Sequence, residues 1–179
     1  MKIAIVLSGA SGVHLGHRFV EWLPAEIEAH LIATEHARQV ERLEGGTLQQ
    51  YEPDAIGAPV ASGSFQVDAT AVLPCSMNTL AKIACGIADN LPTRVAAVAL
   101  KEHKPLLLAP REIPYSAIAL ENMLKLSRLG VQIAPPVMGY YAEHDSVEAM
   151  ERFIVGKWYD LLGIEHRLYR RWGSSKIRN

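Results

Sequence analysis

Short apolar runs alternate along the chain with longer segments in which apolar residues recur every three or four positions. The short runs predict buried β-strands, and the longer segments predict amphipathic helices. The predicted strands span about residues 3–7, 28–33, 69–73, 105–110 and 131–136, and the predicted helices about residues 13–23, 34–43, 76–85, 92–103, 116–129 and 145–162. Because strands that alternate with helices of this length form βαβ units, we predict an α/β fold whose parallel sheet carries helices on both faces.

The remaining segments are less regular. Residues 45–64 are rich in Gly and Pro and are expected to be irregular. Asp145 and Glu148 form a capping box at the start of the last helix. The buried stripe predicted for that helix consists of Val147, Met150, Ile154, Trp158 and Leu161. No internal repeat or linker divides the sequence, so we predict one domain over residues 1–179, with a basic tail from about residue 165.

Composition narrows the possible partners. The chain has 179 residues, 49% apolar and 21% charged, with a net charge of −1, which gives no general attraction to nucleic acid or to anionic lipid. No apolar run reaches the roughly 18 residues of a membrane span, so we expect a cytoplasmic protein. The two cysteines lack C-x-x-C spacing and are expected to be reduced thiols. His14 and His17 have no third ligand near them in sequence, so we predict no metal site.

Small hydroxyl residues and glycines follow two of the predicted strands. Ligands of parallel sheets bind beyond the carboxyl ends of the strands. The sequence "SGASG", residues 8–12, follows the first strand, and "PCSMNTL", residues 74–80, ends another strand and opens a helix. Two helix N-termini with free N–H groups and hydroxyl donors suit a phosphate monoester, although ordinary capping by Ser and Thr explains either segment alone. The glycine spacing is not the G-x-G-x-x-G of dinucleotide-binding proteins.

Charged residues stand at three further positions of interest. Arg111 and Glu112 follow the apolar run "LLLAP" and suit an anion clamp beside a proton acceptor, or else a weak salt bridge at the rim. Arg94 and Lys101 are seven residues apart on one face of an Ala/Val-rich helix. There they either meet an anion across a subunit interface or form a solvated cationic edge. Lys157 lies at the border of the last helix, within reach of Tyr140 and Tyr141.

Six motifs spread over nearly the whole chain carry a family resemblance: "SGASG", "ASGS" at 61–64, "PCSMNTL", the block from Asp89 to Gly130, "APPVMGYY" at 134–141 and "RRWG" at 170–173. In these motifs the chain resembles the flavin prenyltransferases of the UbiX/Pad1 type. The resemblance implies a Rossmann-like (flavodoxin-like) flavoprotein that assembles into a homo-oligomer, a dodecamer in this family, with FMN at subunit boundaries. It also implies transfer of a dimethylallyl group from dimethylallyl monophosphate to N5 and C6 of reduced FMN. The prenylated FMN then serves a UbiD-type decarboxylase.

The resemblance also assigns roles to individual residues. The implied FMN contacts are Gly9, Ala10, Ser11, Thr34, Ser76, Met77, Asn78, Thr79 and Arg111. The implied prenyl phosphate site consists of Tyr141, Lys157, Arg94 and Lys101. Glu112, Ser11, Glu44, Lys101, Arg94 and Trp172 are the implied catalytic residues. Fixed cations would stabilise the phosphate as it leaves, Trp172 would face the developing allyl cation, and Glu112 would accept the proton released on ring closure.

Three alternatives stay open at the sequence level. A flavoprotein decarboxylase of cysteinyl carboxylates shares the expected fold, but its family has an Asn-containing loop where "PPVMGYY" stands, and only His14 and His36 match its early histidine weakly. The other two alternatives are a non-catalytic FMN carrier and an NAD(P) oxidoreductase in which Glu35 would bind the ribose. Lys157 stands where the family usually has Arg, which keeps the charge but removes bidentate phosphate binding.

Overall fold

Six parallel strands form the sheet that organises the chain. The computed structural model describes residues 1–8, 12–33, 47–140 and 146–172. The strands are β1 Lys2–Leu7, β2 Glu28–Ala33, β3 Thr47–Tyr51, β4 Ala69–Cys75, β5 Leu106–Pro110 and β6 Gln132–Ile133. The α-helices in the described residues are α1 Val13–Glu21, α2 Met77–Ala84, α3 Leu91–Lys101, α4 Ala117–Arg128 and α5 Val147–Leu162. The parallel arrangement confirms the predicted α/β class.

The helices cover the two faces of the sheet in separate groups. On one face α1 and α5 pack against the strands through side chains such as Phe19, Ile154 and Trp158. On the other face α2, α3 and α4 pack through side chains that include Leu80 and Leu126. Because both faces are buried, the central strands are apolar along their length, as in the run Ile3–Leu7, rather than alternating.

The strand order β3-β2-β1-β4-β5-β6 is that of a doubly wound Rossmann sheet. The chain leaves β1 towards β2 on one side, and later returns to place β4 on the other side of β1. This reversal opens a crevice beyond the carboxyl ends of β1 and β4. Ser8 and Ser76, the residues that follow these two strands, therefore face the same crevice.

Two strands differ from the sequence-based prediction. The segment expected to be irregular contains β3, a polar edge strand that pairs with β2 and hides little apolar surface, so its sequence "TLQQY" carries no strong strand pattern. Conversely, β6 is only two residues long. Pro135 and Pro136 follow it, and a proline lacks the backbone N–H that a longer pairing with β5 requires.

The start and the buried stripe of α5 also differ from the prediction. The helix is capped by Ser146, whose hydroxyl accepts a hydrogen bond from the backbone N–H of Ala149, and not by Asp145, which lies outside the described residues. Val147 is 70% exposed because it opens the helix beyond the edge of the core, and Leu161 is also exposed. The buried face is broader than predicted, since α5 contacts both α1 and the sheet. It comprises Glu151, Phe153, Ile154, Val155, Gly156, Trp158, Tyr159 and Leu162.

We expect Gly16→Ala to destabilise the fold strongly. A Cβ at residue 16 would lie 2.3 Å from the carbonyl oxygen of Leu73 and 2.4 Å from Cδ2 of Leu7, so α1 could no longer lie close to the sheet. Overpacking of this kind costs about 1–3 kcal/mol or more, measurable as a lower midpoint of urea unfolding. Gly57→Ala is the matched control, because a Cβ there meets no atom within 4 Å. Equal midpoints for the two variants would contradict this packing.

Candidate active site

Three hydroxyl groups meet where β1 and β4 end. The Ser8 Oγ lies 2.9 Å from Thr79 Oγ1 and 3.5 Å from Ser76 Oγ. The Ser76 hydroxyl donates to Thr79 Oγ1 at 3.0 Å and accepts from the Thr79 backbone N–H at 3.2 Å, which caps α2. This hydroxyl cluster (Ser8, Ser76 and Thr79) sits beside the N-terminus of α2, where N–H groups and the helix dipole favour an anion. Ser76 thus caps α2, and the cluster offers hydroxyl groups of the kind predicted to bind a phosphate monoester.

Arg111 reaches from the end of β5 to the start of α1. A Cβ on Gly12 would lie 3.0 Å from Cδ of Arg111, so the arginine stem runs directly over this residue. The φ angle of Gly12 is +85°, a left-handed conformation that disfavours any side chain. The backbone N–H of Arg111 also donates to the carbonyl of Cys75 at 3.4 Å. The structure thus brings the guanidinium to the crevice that holds the hydroxyl cluster.

Glu112 lies on the rim of the same edge of the sheet. Its side chain is exposed, and Oε1 accepts a hydrogen bond of 3.0 Å from the backbone N–H of Ile113. The neighbouring Tyr115 donates to the carbonyl of Pro110 at 3.3 Å. Partial burial, together with the negative charge of Glu112, raises the pKa of the Tyr115 phenol. A carboxylate in this position is accessible to substrate and able to accept a proton.

Arg94 and Lys101 both lie against the segment that carries the "ASGS" motif. Arg94 Nε donates to the carbonyl of Ala61 at 3.1 Å. The Lys101 ammonium pairs with Glu102, and it lies 2.9 Å from the position that a Cβ on Gly63 would take. A groove of about 330 Å³ between α2 and α3 also ends at Lys101, and its other lining residues are Ile83, Gly86, Ile87, Thr93, Ala97 and Leu100.

Within one chain the predicted cations lie on separate surfaces. Arg94 and Lys101 belong to α3, whereas Lys157 belongs to α5 on the opposite face of the sheet. Lys101 ends α3 just before β5 begins, so it is at the amino edge of the sheet. Arg111 and Glu112 follow the carboxyl end of β5, so the length of this strand separates them from Lys101. A single chain therefore does not gather these groups into one pocket.

Asp160, an acidic residue of α5, pairs with Lys157 and with Arg171, the residue before Trp172. The Lys157 ammonium is 3.7 Å from Asp160 Oδ2, and Trp172 follows Arg171, whose guanidinium donates to Asp160 Oδ1 at 2.6 Å. Although partial burial opposes its ionisation, hydrogen bonds from Arg171, Tyr169 and His166 lower the pKa of Asp160 to about 2. Asp160 is therefore ionised at neutral pH.

Several predicted site residues fall outside the described part of the chain: Gly9, Ala10, Ser11, Thr34, Glu44 and Tyr141, together with the helix predicted to follow Thr34. Met77 and Asn78 lie in the first turn of α2, directly beside the hydroxyl cluster. In residues 1–8, 12–33, 47–140 and 146–172, no group of three His, Cys, Asp or Glu side chains is placed to hold a metal ion. No described helix is long and apolar enough to cross a bilayer.

Two residues of this region, Asp160 and Tyr115, are not marked by the sequence motifs. Nothing in the local sequence marks Asp160, because its partners His166, Tyr169 and Arg171 follow the helix and meet it only when the chain folds back. Tyr115 follows the noted Arg111–Glu112 pair by three residues, and this proximity was the available signal.

Comparison with known proteins identifies the family. The Flavoprotein family matches residues 1–158. The chain belongs to this family. Over 187 residues it is 46% identical to a Helicobacter pylori protein named flavin prenyltransferase UbiX, with 98% of this chain and 100% of that protein covered.

Two solved structures share the fold closely. A dodecameric FMN-dependent UbiX-like decarboxylase from Escherichia coli O157:H7 is 36% identical, with a TM-score of 0.88 and coverage of 97% of this chain and 100% of that one. AnUbiX (PadA1), solved in complex with FMN and dimethylallyl pyrophosphate, is 34% identical, also with a TM-score of 0.88, over 98% of both chains. This flavoprotein is thus similar over nearly its full length to one protein named FMN-dependent and to one solved with FMN bound.

Proposed function

We propose that this flavoprotein is a flavin prenyltransferase. It would transfer the dimethylallyl group of dimethylallyl monophosphate to N5 and C6 of reduced FMN, and it would supply the prenylated FMN to a UbiD-type decarboxylase. The observation that carries this proposal is the similarity to flavin prenyltransferase UbiX over 98% of the chain. The hydroxyl cluster at the strand switch point supports it, because hydroxyl donors beside a helix N-terminus suit the phosphate of a mononucleotide.

The chain's own residues account for FMN binding in this proposal. Ser76, Met77, Asn78 and Thr79 would hold the FMN phosphate at the N-terminus of α2. Arg111 and the loop of Gly9, Ala10 and Ser11 would contact the flavin, together with Thr34. When bound, reduced FMN supplies the nucleophilic N5 and C6 positions.

The prenyl donor would be held by its phosphate. Arg94, Lys101, Lys157 and Tyr141 would surround the phosphate and stabilise the negative charge that develops as the carbon–oxygen bond breaks. Trp172 would face the allyl cation with its ring, worth about 0.5–2 kcal/mol. Glu112 would accept the proton lost on ring closure, with Ser11 and Glu44 as the other polar groups of the site.

A homo-oligomer is required to bring these cations together, because one chain places them on separate surfaces. The exposed apolar residues around the carboxyl edge of the sheet support such an assembly. Ile113 is 89% exposed and Tyr140 is 82% exposed, and Val137 and Met138 lie exposed near them. We propose a dodecamer, the state of the E. coli relative. We also propose a cytoplasmic location, where the exposed Cys85 thiol stays reduced.

Direct assay of the reaction tests this function. The FMN-loaded, reduced protein is incubated with dimethylallyl monophosphate, and in parallel with the diphosphate and with a peptide that ends in cysteine. We expect the flavin to gain the mass of one dimethylallyl group with the monophosphate. A flavin of unchanged mass with both donors would refute the proposal, and release of CO₂ from the peptide would replace it with the decarboxylase alternative.

A further inference from the structure

One carboxylate on α5, that of Asp160, accepts three hydrogen bonds and forms one further ion pair. Its Oδ1 accepts from His166 Nε2 at 3.1 Å and from Arg171 Nη2 at 2.6 Å. Its Oδ2 accepts from the Tyr169 hydroxyl at 2.5 Å and lies 3.7 Å from the Lys157 ammonium. The three hydrogen-bond donors belong to residues 166–172, the segment that follows α5. This arrangement is the Asp160 clamp.

The tautomer of His166 agrees with a donor role towards Asp160. Its Nδ1 accepts a hydrogen bond of 3.1 Å from the backbone N–H of Leu168, so the proton of a neutral ring is on Nε2. The ring is also almost fully buried against Tyr159, with ring centroids 5.6 Å apart. His166 therefore links the start of this segment to Asp160 and Tyr159 of α5.

Close packing fixes the same segment on α5. A Cβ on Gly156 would lie 2.4 Å from Cδ1 of Tyr169, so the tyrosine ring rests directly on the helix backbone. The Tyr169 ring also contacts Phe153 edge-on, with centroids 5.0 Å apart. The glycine thus makes room for the ring, and the ring brings the Tyr169 hydroxyl to Asp160.

The clamp ends one residue before Trp172. The indole is 86% exposed on this chain, so the core does not enclose it, and the residue that precedes it, Arg171, is bonded to Asp160. The same carboxylate faces the Lys157 ammonium from one turn along the helix. One anion therefore pairs both with a cation of α5 and with the residue that precedes an exposed aromatic ring.

We propose that Asp160 is a positioning residue for the prenyl donor, setting the place of Trp172 through Arg171 and the direction of Lys157. This inference rests on the proposed function, which assigns Trp172 and Lys157 to the donor. Asp160 acts through Arg171 and Lys157 and touches neither the donor nor FMN. Replacing Asp160 is therefore expected to weaken binding of the donor and not of the flavin. The ionised state of Asp160 at neutral pH supports the four interactions.

The test compares Asp160→Asn and Asp160→Ala with Glu165→Gln, which removes an exposed carboxylate of the neighbouring sequence. The FMN-loaded protein is used throughout. Loss of charge-assisted hydrogen bonds is expected to raise the KM for dimethylallyl monophosphate about tenfold in Asp160→Ala and less in Asp160→Asn. The Kd for FMN is expected to stay within about twofold of the parent value. Glu165→Gln is expected to change neither constant.

A second measurement reports on Trp172 without any reaction. The tryptophan fluorescence of each protein is measured with and without the additional Trp172→Phe substitution. The difference gives the emission of Trp172, because Trp22 and Trp158 are present in both proteins. We expect the anisotropy of the Trp172 emission to fall in Asp160→Ala and in Asp160→Asn, whose near-identical shape preserves the fold. An unchanged anisotropy, or a fall in anisotropy with an unchanged KM, would overturn the proposal. Absence of prenyl transfer in the parent protein would refute the proposed function instead, and the anisotropy would still decide whether Asp160 positions Trp172.

Discussion

Glu112→Gln is expected to lower the rate of prenylated flavin formation by about 10²–10⁴, the usual contribution of a general base. Glutamine has the shape of glutamate, and its amide oxygen is able to accept the hydrogen bond from the Ile113 N–H that Glu112 Oε1 accepts. The amide, however, does not accept a proton at neutral pH. The rate is measured by mass spectrometry of the flavin after single-turnover incubation with dimethylallyl monophosphate.

Measuring the Kd for FMN shows whether Glu112→Gln has lost catalysis alone or has also lost FMN binding. Glu112 lies on the exposed rim, whereas the hydroxyl cluster and Arg111 form the crevice, so Glu112→Gln is expected to bind FMN normally. Glu121→Gln, which changes an exposed carboxylate on α4, is the matched control and is expected to react at the parent rate. A parent-like rate in Glu112→Gln would exclude Glu112 as the proton acceptor.

Lys101→Met is expected to lower the rate by about 10²-fold, and mixing it with Glu112→Gln subunits is expected to restore activity. The structure places Lys101 at the amino edge of the sheet and Glu112 at the carboxyl edge of the same chain. A shared active site must then take the two residues from different subunits. In a random equal mixture about a quarter of the sites would have both residues intact. The recovered rate of prenyl transfer is measured after co-expression of the two variants.

Two controls define this mixing experiment. Lys104→Met changes an exposed lysine three residues further along and is expected to keep the parent rate. Co-expression of Glu112→Gln with a chain that carries both Glu112→Gln and Lys101→Met leaves no site complete and should recover nothing. If Glu112→Gln with Lys101→Met also recovers nothing, while each assembles normally, the two residues do not form a site between subunits.

The hydroxyl cluster shows what was predictable about the site. Ser76 and Thr79 occupy the cap and third position of α2, a spacing that is visible in the sequence because capping is local. Ser8 follows an apolar strand, and the rule that ligands bind at strand ends placed it nearby. Ser8 is 68 residues from Ser76 and 71 residues from Thr79 in the sequence. Their proximity was still predictable, since the parallel sheet brings both strand ends to one edge.

The Asp160 clamp and the polar strand β3 show what was not predictable. In the sequence Asp160 resembles any acidic residue on a helix. Its hydrogen bonds depend on the path that residues 166–172 take over Gly156. The β3 sequence is polar because an edge strand needs little burial, so its pairing with β2 left no periodic pattern to detect. Both features depend on contacts between segments that have no local signature.

By itself, the sequence determined the alternation of strands and helices, the α/β class and the residue types at the strand ends. These follow from local hydrophobic periodicity and capping, which act over a few residues. Only the tertiary structure decided that the hydroxyls of Ser8, Ser76 and Thr79 meet, that Arg111 crosses Gly12, and that Lys101 and Lys157 lie on opposite faces of the sheet. The physical reason is that the packing of helices against the two faces of a sheet sets which distant side chains come into contact.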